Sequence, residues 1–173
     1  MLKEIRGHIR DCLESVKERI KRNIEDKGRT ASGGTASSLS VSFGNLGGTL
    51  YGSSSFLAIQ RGRKGGKVPR GFVGIIRQWI IDKGISVRPV PVKRKSKYGD
   101  EERAQLSAAR AIAYTIMKNG TSLYRRGGYD DIYDTAIEEE TDKLRPKLLD
   151  VFYITIRDIN KNMRDYEKRN NRK

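Results

Sequence analysis

The sequence has little of what reactive sites usually need. One cysteine in 173 residues, Cys12, excludes an intramolecular disulfide, and one histidine, His8, leaves little for metal binding or for acid–base chemistry near neutral pH. No apolar run approaches the ~18 residues that cross a bilayer, and the chain opens on a charged amphipathic segment instead of a signal peptide. These absences predict a soluble protein of a reducing compartment with no membrane partner. Charge is missing too, but only locally: residues 30–60 contain no Lys, Arg, Asp or Glu.

What is present is strongly basic, with 36 Lys and Arg against 21 Asp and Glu, a formal net charge of +15. The excess is concentrated. Residues 61–126 carry 17 basic and 4 acidic residues, whereas residues 127–173 carry 10 and 11. Such a field attracts phosphate polyanions or acidic protein faces without specifying sequence, and a basic surface kept for solubility is the competing reading. Apolar residues (36%) barely exceed charged ones (33%), which favours long exposed helices or a subunit that buries surface in an assembly.

Residues 2–26 read as a helix, because Leu2, Ile5, Ile9, Cys12, Leu13, Val16, Ile20 and Ile24 recur at spacings of three and four, and Lys27-Gly28 ends it. In the uncharged block, Leu39, Val41 and Phe43 alternate with serines, a period-two strand signature. Leu50-Tyr51 and Phe56–Ile59 suggest two more short strands, giving an antiparallel meander within about residues 36–60. No edge lysine guards these strands, so pairing with a neighbouring subunit is open to them; a Gly/Ser linker is the alternative.

The stretch Gln60–Gly84, QRGRKGGKVPRGFVGIIRQWIIDKG, organises the middle of the chain. It joins a glycine-punctuated basic loop, expected to be mobile, to a helix at about residues 70–83. Phe72, Ile75, Ile76, Trp79 and Ile80 form that helix's apolar stripe, Pro69 suits its first turn, and Gly84 suits a left-handed cap. Arg61, Arg63, Lys64, Lys67 and Arg70 are candidate outward docking charges. Pro89 and Pro91 then enforce an extended arm whose cluster Lys93, Arg94, Lys95 and Lys97 is a second candidate contact for DNA or a partner.

Asp100 reads as the cap of an alanine-rich helix at about residues 100–118, suited to close packing on the Trp79 helix and stopped by Asn119-Gly120. A helix over 129–140 and a longer C-terminal one follow, with Pro146 as a bend or first-turn residue between them. Leu144, Leu148, Leu149, Phe152, Ile156, Ile159 and Met163 are the apolar positions of the latter, and the last ten residues lose periodicity and should fray. The expected fold class is α+β: residues 1–126 form one domain and 127–173 a helical extension.

Catalytic chemistry finds little support. Gly62–Lys67 resembles a phosphate loop only superficially, since Arg61 stands where its first glycine belongs and Val68 where its Ser or Thr belongs. His8 and Cys12, one helical turn apart, lack a second ligand pair. Asp130, Asp131 and Asp134 could gather a magnesium ion, but acidic residues at a helix N-terminus account for them. The expectation is no enzyme activity, no metal and no cofactor.

The order of helix, charge-free strands, GRKGGKVPRGFVGIIRQWIIDKGI, basic spacer, alanine-rich helix and MKNGTSLYRRGG resembles tailed-bacteriophage neck and tail-completion proteins. The resemblance rests on Gly62, Arg63, Lys64, Gly66, Lys67, Pro69, Ile76, Trp79, Ile80, Lys83, Gly84, Ile85, Ile116, Gly120 and Thr121. It departs at Arg70, where a second proline often stands. It covers about residues 60–121 and carries over no catalytic residue. It implies a virion subunit made in the host cytoplasm, repeating as a homo-oligomeric ring between head and tail. Portal, connector or tail proteins would be its partners, with packaged DNA as a possible non-specific contact. A DNA- or RNA-binding accessory protein using residues 61–126 is the alternative, and a metal-dependent nuclease a third.

Overall fold

The computed structural model describes residues 2–45, 47–88 and 97–170, the last six as backbone only. The chain is mostly helical with one small antiparallel sheet, an α+β protein with long first and last helices. Its contacts divide it into two compact units interleaved along the sequence: residues 1–23, 39–51 and 132–173 form one, and residues 24–38 and 52–131 the other.

The first unit is built on α1 (Leu2–Asp26), the hairpin β1 (Ser40–Phe43) and β2 (Gly48–Tyr51), and α7 (Asp134–Asn170). Val16 and Ile20 of the α1 stripe are buried, as are Leu39, Ile132, Ala136 and Val151. The hairpin pairs Ser40 with Tyr51 and Phe43 with Gly48. It lies on α1, where Gly48 leaves room for Leu13, Arg10 covers the Phe43 ring at 4.9 Å, and Arg6 Nε donates to the Asn45 carbonyl at 2.7 Å. Polar contacts tie α1 to α7. Arg19 reaches Glu139 at 2.7 Å and Glu140 at 3.0 Å, and Asn23 donates to the Ile132 carbonyl at 2.8 Å.

The second unit holds α2 (Gly34–Ser37), α3 (Ser55–Arg61), α4 (Phe72–Asp82), α5 (Asp100–Asn119) and α6 (Ser122–Arg125). Its core is the expected pairing of α4 with the alanine-rich helix: Ile76 and Ile80 pack with Ala109 and Ala113, flanked by Phe72, Val73, Ile112 and Ile116. Small side chains let the two helices approach closely, and their burial supplies the main hydrophobic stabilisation of the unit. Helix α4 ends as its sequence predicts. Gly84 at φ 61° lets its own N–H reach the Ile81 carbonyl and the Ile85 N–H reach the Ile80 carbonyl, a doubly bonded glycine stop.

Several local expectations are corrected. The third strand of the meander is absent, because Phe56–Ile59 lies inside α3; Phe56, Ile59 and Gln60 turn inward at i, i+3 and i+4, a helical and not an alternating period. The sheet is therefore a two-stranded hairpin. Pro146 does not start a helix: it sits within the single 37-residue α7. The carbonyl deprived of its bond is that of Asp142, on an exposed turn where water can serve it. Pro69 precedes α4 instead of joining its first turn, accepting from Phe72 N at 3.2 Å. Asp100 is the first residue of α5, not its cap, and binds Arg103 at 2.6 Å. The backbone remains helical through Asn170, inside the segment expected to fray.

Candidate docking surface

The basic loop between α3 and α4 is expected to be mobile, yet it is fastened to the turn between α5 and α6. Arg63 N–H donates to Thr121 Oγ1 at 2.9 Å, Thr121 N–H donates to the Arg63 carbonyl at 2.9 Å, and Gly66 N–H donates to the Met117 carbonyl at 2.7 Å. The last bond satisfies one of the carbonyls that a helix C-terminus leaves without a partner. Thr121 also caps α6, its hydroxyl accepting from Tyr124 N at 3.4 Å.

Glycine permits this approach. A side chain at Gly62 would collide with the Tyr124 backbone and with Thr121 Oγ1 at 2.7 Å, and one at Gly120 would meet the Arg63 carbonyl at 2.6 Å. Both residues also hold positive φ, 73° and 80°. The loop and the Asn-Gly-Thr stop thus form one interlocked element, although 58 residues separate Arg63 from Thr121.

The interlock displays cations. Arg61, Lys64, Lys67 and Arg70 are exposed, and among the described residues no carboxylate pairs with them. Lys118, Arg125 and Arg126, on the segments that receive the loop, are exposed as well, with Tyr114, Met117 and Tyr124 beside them. A charge count places these three cations in the basic region without distinguishing them from the rest; their proximity to the GRKGG loop depends on the interlock, for which Asn-Gly-Thr is the visible signal.

Arg63 is placed differently from its neighbours. Half-buried, it donates to the Lys67 carbonyl and covers the Phe72 ring at 5.4 Å, so its guanidinium braces the loop from within. Lys97 is exposed and lies over the Tyr98 ring at 4.9 Å. Lys93, Arg94 and Lys95, with Pro89 and Pro91 of the expected arm, lie outside the described residues.

Other singled-out residues fall away from this surface. Trp79 and Ile75, expected on the apolar stripe, are 39% and 54% exposed and border an open groove of about 500 Å³ with Ile59 and the Thr30–Ala36 segment. Gln60 is fully enclosed, its carbonyl accepting from Asp130 N at 2.8 Å and its amide reaching Tyr129 Oη at 3.4 Å. Nothing in a single polar residue at a helix end marks it as core.

Asp130 is paired with Arg29, and Asp134 opens α7. Cys12 contacts the Glu140 carbonyl at 3.5 Å, and burial, then the Glu140 charge, pushes its thiol pKa up, which disfavours the thiolate. Among the described residues no group of three or more His, Cys, Asp or Glu is arranged to hold a metal ion, and no helix is long and apolar enough to cross a membrane. Comparison with family models, with curated proteins and with solved structures returns no match.

Proposed function

We propose that this chain is a structural component of a tailed-bacteriophage virion, a head–tail connector, neck or tail-completion subunit that repeats as a ring. It acts by docking, with no chemistry of its own. The observation that carries this reading is the interlock. Gly62, Arg63, Gly66, Gly120 and Thr121, residues on which the resemblance to that family rests, meet in space and hold a shelf of unpaired cations in a fixed shape. A preorganised cationic face suits the acidic surface of an adjoining portal, connector or tail protein, or the phosphates of packaged DNA. The uncharged hairpin, whose two strands each present an open edge, adds a means of joining copies. The site of action is the virion neck, after synthesis in the host cytoplasm.

A second reading, a nucleic-acid-binding accessory protein, is favoured by Tyr114 and Tyr124 exposed near the cations, where bases can stack. Binding to duplex and single-stranded DNA across a salt series separates an accessory protein from a connector whose shelf meets protein. An accessory protein binds free DNA tightly, and changing Arg61, Lys64, Lys67 and Arg70 to Gln reduces the slope of log K against log salt by about 3–4. A connector subunit whose shelf meets protein shows weak binding that the same substitutions barely alter. Its presence in purified virions tests the connector reading itself.

A further inference from the structure

Helix α7 displays a second surface, unrelated to the cationic shelf. Its side toward Ala136, Glu140 and Val151 is buried. Across the helix from that side, Leu149, Phe152, Ile156, Ile159 and Met163 follow one another at steps of three, four, three and four, and each is 49–58% exposed. Two heptads of this spacing make a straight apolar seam along the helix, the pattern by which helices pair knobs into holes.

The positions flanking the seam are Tyr153, Thr155, Asn160 and Asn162, all uncharged. The charged residues Asp150, Arg157, Asp158 and Lys161 lie farther round the helix. In a chain with 33% charged residues, a seam bordered only by neutral side chains removes the repulsion that identical copies would otherwise meet where like charges face each other.

We infer that the Leu149–Met163 seam of α7 is a self-association surface, and that its occupant is the same seam of other copies of this chain. Isoleucine at both seam positions of the second heptad, Ile156 and Ile159, favours three or more helices over two. Size points the same way. Five half-exposed side chains with Tyr153 offer about 650–700 Å² per copy, below the roughly 800 Å² per partner of a standard stable interface. A pair alone is therefore weak, and a bundle in which each seam meets two neighbours buries more. This deepens the assembly part of the proposed function and fails independently of it, since virion content does not depend on which surface joins the copies.

Sedimentation of the full chain from about 5 to 500 µM tests the inference. The apparent mass should rise with concentration past that of a dimer, and Ile156→Asp should remain monomeric over the same range with unchanged far-ultraviolet circular dichroism. If Ile156→Asp disturbs folding, crosslinking supplies the test. In a Cys12→Ser background, Ile159→Cys should form disulfide-linked dimers under mild oxidation at least tenfold faster than Lys161→Cys, which lies off the seam. A wild-type chain monomeric throughout, association unaffected by Ile156→Asp, or equal crosslinking at positions 159 and 161 overturns the inference. Association unaffected by Ile156→Asp would leave the oligomer intact and move its interface elsewhere.

Discussion

Arg63 and Thr121 bind each other reciprocally: the Arg63 N–H donates to Thr121 Oγ1 and the Thr121 N–H donates to the Arg63 carbonyl, both at 2.9 Å. Through this pair a loop rich in glycine and charge, with no apolar residue between Gly62 and Lys67, acquires a defined shape.

The interlock should be costly to disturb. Gly62→Ala and Gly120→Ala each place a Cβ against backbone at a positive φ, and each should destabilise the chain by about 2–4 kcal/mol. Thr121→Ala should cost about 1–2 kcal/mol through the lost cap and the unpaired Arg63 N–H, while Thr121→Ser stays near wild type. Urea midpoints measure all four; a neutral Gly62→Ala would mean that the loop does not dock.

A glycine without such neighbours should behave oppositely. Gly74 lies within α4, exposed, and a Cβ added there would meet nothing within 4 Å. Gly74→Ala should raise stability by about 0.5–1 kcal/mol because the unfolded chain loses freedom and the helix gains propensity. Thermal unfolding of this variant should show a higher midpoint.

Acid should weaken the first unit through Glu140. The Lys143 ammonium first, then Ser15 and Arg19, hold its carboxyl at a pKa of about 2 against an ordinary 4.5, although the side chain is nearly enclosed. A depressed folded pKa gives stability that is complete above about 4.5 and is lost as pH falls toward 2, worth at most about 3 kcal/mol. The stability difference between wild type and Glu140→Gln should therefore be largest near pH 7 and shrink below pH 4.5. A difference constant from pH 7 to pH 2.5 would contradict this assignment.

What the sequence made legible was whatever local periodicity or glycine chemistry dictates. The α1 stripe, the stops at Gly28, Gly84 and Gly120, and the α4–α5 pairing all depend on neighbours a few residues apart or on one small-residue face. The errors have equally local causes. Phe56-Leu57-Ala58-Ile59 is too short for its period to separate strand from helix, and the surrounding serines and glycines favour a strand. Pro146 signals a break, but an exposed turn tolerates it.

The candidate site is half visible in the sequence. Arg61, Lys64, Lys67 and Arg70 can be named from charge alone. The bracing of Arg63 on Phe72, and the recruitment of Lys118, Arg125 and Arg126, follow from the folded loop and from contacts about 60 residues apart that no short pattern encodes.

The most direct test of the proposed function is mass spectrometry of purified, DNA-filled virions washed free of soluble protein, released from cells that express this chain. A connector subunit should be found at a fixed low copy number per particle, retained after salt washing together with portal and tail proteins. Absence of the chain from intact particles would contradict that role.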